Sequence, residues 1–128
     1  MKNLIISIAL VVVAIIIFAI LLIPAIIWGI IISLYKRKAK NGFKELSEWF
    51  MTWAISIDQL ANVICKDLFN STLITGNGVE FGNPDETISG VLGKNKRAET
   101  LSKIGKGLDW LLEKLDPNHS IKSIEDDE

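Results

Sequence analysis

Histidine and cysteine are nearly missing: His119 and Cys65 are the single representatives in 128 residues. One thiol excludes an internal disulfide. With one of each residue, neither a CxxC nor an HExxH zinc site can be assembled. The nine glycines never fall into GxGxxG or GxxxxGK[ST], so a glycine-cradled phosphate site is excluded as well. No cofactor signature remains. Acidic residues are absent from residues 1–44, which hold six of the 14 Lys/Arg, leaving eight bases against all 15 acids in residues 45–128. An acidic second part repels phosphate backbones, so nucleic acid is excluded as a partner.

The largest absence is of charge. From Leu4 to Leu34, 31 consecutive residues carry none, and only Ser7 and Ser33 have polar side chains. About 20 apolar residues cross a hydrocarbon core of about 30 Å. At 1.5 Å per residue the run reaches roughly 46 Å, so the excess must tilt, kink or protrude. Pro24 is the expected kink, with a re-entrant hairpin as the alternative. A secretory signal has an apolar core of only about 7–15 residues and a small-x-small cleavage site, which the following YKRKAK lacks. The expectation is an uncleaved transmembrane anchor over residues 1–35, followed by a basic linker over 36–42. Trp28, Tyr35, Lys36, Arg37, Lys38 and Lys40 form the expected membrane interface. The basic flank puts the N-terminus outside and the C-terminal part in the cytoplasm, in the inner membrane of a bacterial host.

Beyond the linker the pattern is mainly α, and residues 43–118 are expected to form a small soluble domain ahead of an acidic tail, 119–128. Phe43, Leu46, Phe50, Trp53, Ile57, Leu60 and Ile64 alternate three and four apart, the seam of a helix that faces another helix. This helix is expected over 43–70. Asp58 and Asn62, one turn apart beside the seam, suggest a buried polar contact. Thr72–Thr75 and Val79–Phe81 flank Gly76-Asn77-Gly78 and predict a short β-hairpin. Asn83-Pro84-Asp85-Glu86 reads as a capping box opening a helix over 84–92 that stops at Gly93. Leu101, Ile104, Leu108, Leu111, Leu112 and Leu115 mark a last helix over 98–115, ended by Asp116-Pro117.

Chemistry is thinly represented. Asp58, Glu86 and His119 are the candidate catalytic residues, with Asp116 or Cys65 as possible additions to a metal or nucleophile site; no ligand spacing links them.

Three short runs occur in order: Ile57-Asp58-Gln59-Leu60-Ala61-Asn62, Gly82-Asn83-Pro84-Asp85-Glu86-Thr87-Ile88-Ser89, and Asp116-Pro117-Asn118-His119. This order resembles a family of small proteins of tailed bacteriophages and prophages. The resemblance implies an origin, not an activity. That family often has a basic residue soon after its TIS and a cysteine after its histidine; here Gly90 and Ser120 stand nearby, which weakens any thiol or metal role. The expected function is a single-pass phage-type membrane protein acting as a binding or accessory module, with a protein partner or self-association. A membrane-tethered hydrolase or metal-dependent enzyme using Asp58, Glu86 and His119 is one alternative, and a lysis-associated membrane protein another.

Overall fold

The computed structural model describes residues 1–36 and 42–126. Arg37, Lys38 and Lys40, in the expected basic linker, lie outside the described residues. Six helices follow one another: α1 (Lys2–Lys36), α2 (Gly42–Ile64), α3 (Lys66–Thr72), α4 (Ile88–Arg97), α5 (Lys103–Leu115) and α6 (His119–Asp126). The chain divides into two compact units, Met1–Phe50 and Met51–Glu128.

In the first unit, α1 is a single helix that continues through Pro24, so the chain does not turn back there. It is long and apolar enough to span a membrane, and none of its most apolar window is buried within the protein. Such a surface is stable only in a nonaqueous surrounding or against a partner. Trp28 and Tyr35 near its C-terminal end are exposed. The Trp49 indole occupies the space that a side chain at Gly29 would fill.

In the second unit, Leu73, Phe81, Val91, Leu92 and Leu101 form the buried core, with Phe69, Ile74, Ile88, Leu108 and Leu112 packed around it. The centre is α4, whose Val91 and Leu92 are fully buried. It packs against α5 and α6. Side-chain hydroxyls cap two of these helices: Thr87 Oγ1 accepts from Gly90 N at 2.9 Å, and Ser102 Oγ from Gly105 N at 3.1 Å. Each satisfies a backbone donor that has no partner in the first turn.

No β-strand occurs among the described residues, so the expected β-hairpin over Thr72–Phe81 is not formed. Its two halves find other partners. Ile74 makes an isolated antiparallel bridge with Leu101, with Thr75 N donating to Thr100 O at 2.8 Å and Ser102 N to Leu73 O at 2.9 Å. The second half pairs with asparagine side chains. Asn95 accepts from Val79 N at 2.8 Å and donates to Val79 O at 2.9 Å. Asn70 does the same for Phe81 N at 2.7 Å and Phe81 O at 3.1 Å. A carboxamide carries one acceptor and a donor pair, so it satisfies a residue's backbone as a neighbouring strand would. Those bonds leave the two halves no reason to pair with each other.

The capping box also differs. Asn83 Oδ1 does accept from Asp85 N at 3.1 Å, yet the helix begins only at Ile88, after the Thr87 cap. The carbonyls of Asn83 and Glu86 are drawn instead to Asn62 Nδ2, at 2.9 and 2.8 Å. The helix then runs through Gly93 to Arg97. Past Asp116-Pro117, Asn118 adopts a φ of 61°, the left-handed conformation that asparagine tolerates. The chain thereby reverses from α5 into α6. The stretch expected as an acidic tail from residue 119 is helical to Asp126, with Ser120 and Ile124 buried.

Candidate functional site

Within the second unit, the three sequence runs meet at one cleft of about 330 Å³ lined by Asp58, Gln59, Thr87, Ser89, His119 and Ser123 over an apolar floor from Met51, Ala54, Ile55 and Leu112. Asp58 and Gln59 come from α2, where the helical period turns them away from the Ile57–Leu60–Ile64 stripe. Thr87 and Ser89 stand at the start of α4. His119 and Ser123, four apart, share one face of α6.

The polar groups of this cleft are tied to one another. Asp58 Oδ2 accepts from Ser89 Oγ at 3.0 Å and from Ser89 N at 3.3 Å. The carboxylate therefore sits against the first turn of α4, where exposed N–H groups and the helix dipole favour a negative charge. Gln59 Nε2 reaches the Asp85 carbonyl at 3.4 Å. Behind them Asn62 is completely buried. Its Nδ2 donates to Asn83 O and Glu86 O, and its Oδ1 accepts from Gly82 N at 3.0 Å. One carboxamide thus fixes the whole 82–86 turn. On the other wall, Ser123 Oγ donates to the His119 carbonyl at 2.9 Å, and His119 Nδ1 lies 3.2 Å from Asp116 Oδ2. The hydrogen bond from Lys122, and then that with His119, holds the Asp116 carboxyl below the usual carboxylate range.

Of the three candidate catalytic residues, Asp58 and His119 line the cleft. Glu86 does not: its carboxylate pairs with Lys94. Cys65 lies between α2 and α3 and is not among the cleft's lining residues. No group of three or more His, Cys, Asp or Glu able to hold a metal occurs among the described residues. Chemically, the cleft offers one carboxylate, one imidazole, one carboxamide and three hydroxyls, of which those of Ser89 and Ser123 already donate within the protein and that of Thr87 caps α4. Ser89 and Ser123 carry no sequence signal of their own beyond the runs around them, and Asn70 and Asn95 carry none.

The seam residues are placed differently. Ile57, Leu60 and Ile64 are 64%, 60% and 71% exposed, and Phe43 and Phe50 are exposed as well, whereas Leu46 and Trp53 are half-buried. No family model, curated protein or solved structure matches this chain.

Proposed function

We propose that this is a single-pass membrane protein whose C-terminal helical unit is a binding module held at the membrane surface, and that the module works through the outer face of α2. One observation carries the reading. Helix α2 engages its own unit through Asp58, Gln59 and Asn62, and leaves Ile57, Leu60 and Ile64 in the open. Three large aliphatic side chains aligned on one exposed face are the usual mark of an interaction surface. A hydrophobic α1 supports the anchor. The basic residues after it support a cytoplasmic C-terminal unit in the host inner membrane, and the order of the three runs supports a phage-type origin.

The test uses the full chain in bacterial membranes. Carbonate washing should leave it in the pellet, and alkaline phosphatase fused to the C-terminus should be inactive while a fluorescent protein fused there glows. A Leu60→Lys variant should remain in the membrane at wild-type level and lose the protein that co-purifies with the wild type. Release by carbonate refutes the anchor, and unchanged co-purification refutes the α2 face.

A membrane-tethered hydrolase is the second reading, favoured by Asp58 and His119 opening onto one cleft with the Asp116–His119 contact behind it. It requires a nucleophile or activated water between them. Hydrolysis of ester or peptide substrates by the purified chain, lost in His119→Ala, is its test.

A further inference from the structure

We propose that the outward face of α5 docks on the anionic surface of the bilayer that holds α1. The inference rests on the anchor in the reading above and is independent of the α2 face.

At about 3.6 residues per turn, one side of α5 carries Gly105, Leu108, Asp109 and Leu112, all buried or half-buried. The other side is open. Ile104, Leu111 and Leu115 form a stripe there and are 63%, 51% and 79% exposed. Lys103 and Lys114 run alongside that stripe, followed by Trp110, 61% exposed, and then by Lys106. This arc covers roughly half the circumference and holds no acid. The two acids of α5, Asp109 and Glu113, are turned inward, where both pair with Lys96.

The three lysines form no ion pair among the described residues. Lys114 Nζ instead lies 5.0 Å from the centroid of the Trp110 ring. Nor does the stability of α5 account for them. A helix start favours acids, yet the first turn of α5 has none and holds Lys103 and Lys106. An aliphatic stripe edged by lysines, with a tryptophan at the boundary, fits a helix lying in a membrane interface. The leucines and the isoleucine enter below the headgroups, the indole sits at their level, and the ammonium groups meet lipid phosphates.

Charge singles out this surface. Residues 45–128 hold 15 acids and eight bases, so an anionic bilayer repels the unit in most orientations and attracts it through α5. The α2 helix is unsuited to that role, since Lys44 stands alone there against Glu45, Glu48 and Asp58. The anchor supplies what a 13-residue helix lacks. Because α1 is part of the same chain, docking is an intramolecular step, and a contact too weak to recruit a free protein is enough.

The experiment places an environment-sensitive dye on single cysteines of the purified full chain, in a Cys65→Ser background. The chain is reconstituted in phosphatidylcholine vesicles with or without phosphatidylglycerol, with brominated acyl chains as quencher. Flotation with the vesicles reports the anchor, and quenching reports the docked face. A dye at Leu111→Cys should be quenched when phosphatidylglycerol is present and lose that quenching in phosphatidylcholine alone. Each lysine at an anionic surface changes adsorption about fivefold. Lys103→Gln, Lys106→Gln and Lys114→Gln together should therefore lower the docked-to-free ratio about a hundredfold, with the circular dichroism unchanged. A floating chain whose Leu111→Cys dye is shielded but unquenched overturns the proposal, because a polypeptide then covers the face, and leaves the anchor standing. Quenching at Leu60→Cys with none at Leu111→Cys overturns it too. A chain that does not float removes the anchor and the docking together.

Discussion

Gly93 of α4 and the carbonyl oxygen of Ser120 in α6 lie so close that no methyl group fits between them. The contact is backbone against backbone, and it lets α6 seat Ile124 against the centre of the unit. Replacing Gly93 with alanine raises helix propensity, but the clash dominates because neither helix backbone can yield cheaply. Gly93→Ala should destabilise the unit by about 1–3 kcal/mol, read as a lower midpoint in thermal unfolding of the detergent-solubilised chain. Gly107→Ala is the matched control. Nothing lies within 4 Å of a Cβ there, so the same exchange inside α5 should stabilise by about 1 kcal/mol. Equal effects at the two sites would mean that α4 and α6 do not cross as described.

The second prediction concerns Asn62. Its three hydrogen bonds satisfy one N–H and two carbonyls of the 82–86 turn, and it is fully buried. Alanine there removes all three partners, each worth about 1–3 kcal/mol when left unmet in a dry site. Part of that is recovered as water enters the vacated space, so Asn62→Ala should cost roughly 2–4 kcal/mol. Asn62→Asp should cost more despite being nearly isosteric, since a carboxylate then faces two carbonyl oxygens. Denaturant titration of the two variants checks the order; aspartate milder than alanine would mean that the turn is not held by donation from residue 62.

These residues also explain how far the sequence could be read. Helix α1 is legible because its apolar run is unbroken, and the helices α2 and α5, though not their bounds, because apolar residues repeat at a helix's own period: the helix expected over 43–70 breaks after Ile64, and that expected from residue 98 begins at Lys103. The stretch between Leu73 and Thr87 is not, because its partners are side chains distant in the sequence. Gly76-Asn77-Gly78 between two apolar runs is a fair hairpin signal by local rules, but Asn70 and Asn95 compete for the same backbone groups and win. Nothing local marks those asparagines as inward-facing, since asparagine is a surface residue on average. The late start of α4 has the same origin in Asn62. Helix α6 was hidden by its composition: an acidic ending reads as solvated, while Ile121 and Ile124 alone supply its apolar face. At the cleft, Asp58 and His119 stood out as chemistry-bearing residues, and only the fold shows that Glu86 belongs to Lys94.

Acid should weaken the second unit in a way that identifies its ion pairs. The hydrogen bond from Lys96, followed by that from the Asn118 N–H, lowers the Glu113 pKa, and Lys122 and His119 lower that of Asp116. A carboxyl whose folded pKa lies below its unfolded one contributes stability above the unfolded value and loses it as pH falls through the folded value. The loss therefore begins near the ordinary carboxylate pKa of about 4 and continues below it. Glu113→Gln should lower the unfolding midpoint at neutral pH and flatten its decline between about pH 5 and pH 3. Lys96 has the opposite sign: Glu113 and Asp109 raise its pKa, so its contribution is complete below the unfolded lysine value and disappears only in strong alkali. An acid slope unchanged in Glu113→Gln would show that the Lys96–Glu113 pair does not form.

The cleft's two titratable side chains should respond differently to truncation, and the difference separates scaffold from site. Asp58 bonds Ser89 in the first turn of α4, the work of a capping residue, so Asp58→Ala should cost about 1 kcal/mol. Asp58→Asn keeps an acceptor oxygen and should cost less. His119 contacts Asp116 at a partly exposed position, where such a pair is worth at most about 1 kcal/mol. Its Asp116 partner also keeps the Lys122 bond, so His119→Ala should leave the unfolding midpoint within about 4–8 °C of wild type. Both variants should still retain the protein that co-purifies with the wild type if α2 acts as a recognition face, because Asp58 points to the opposite side of that helix. A pair that instead kept full stability and lost a hydrolytic activity of the wild type would transfer the function from the α2 face to the cleft.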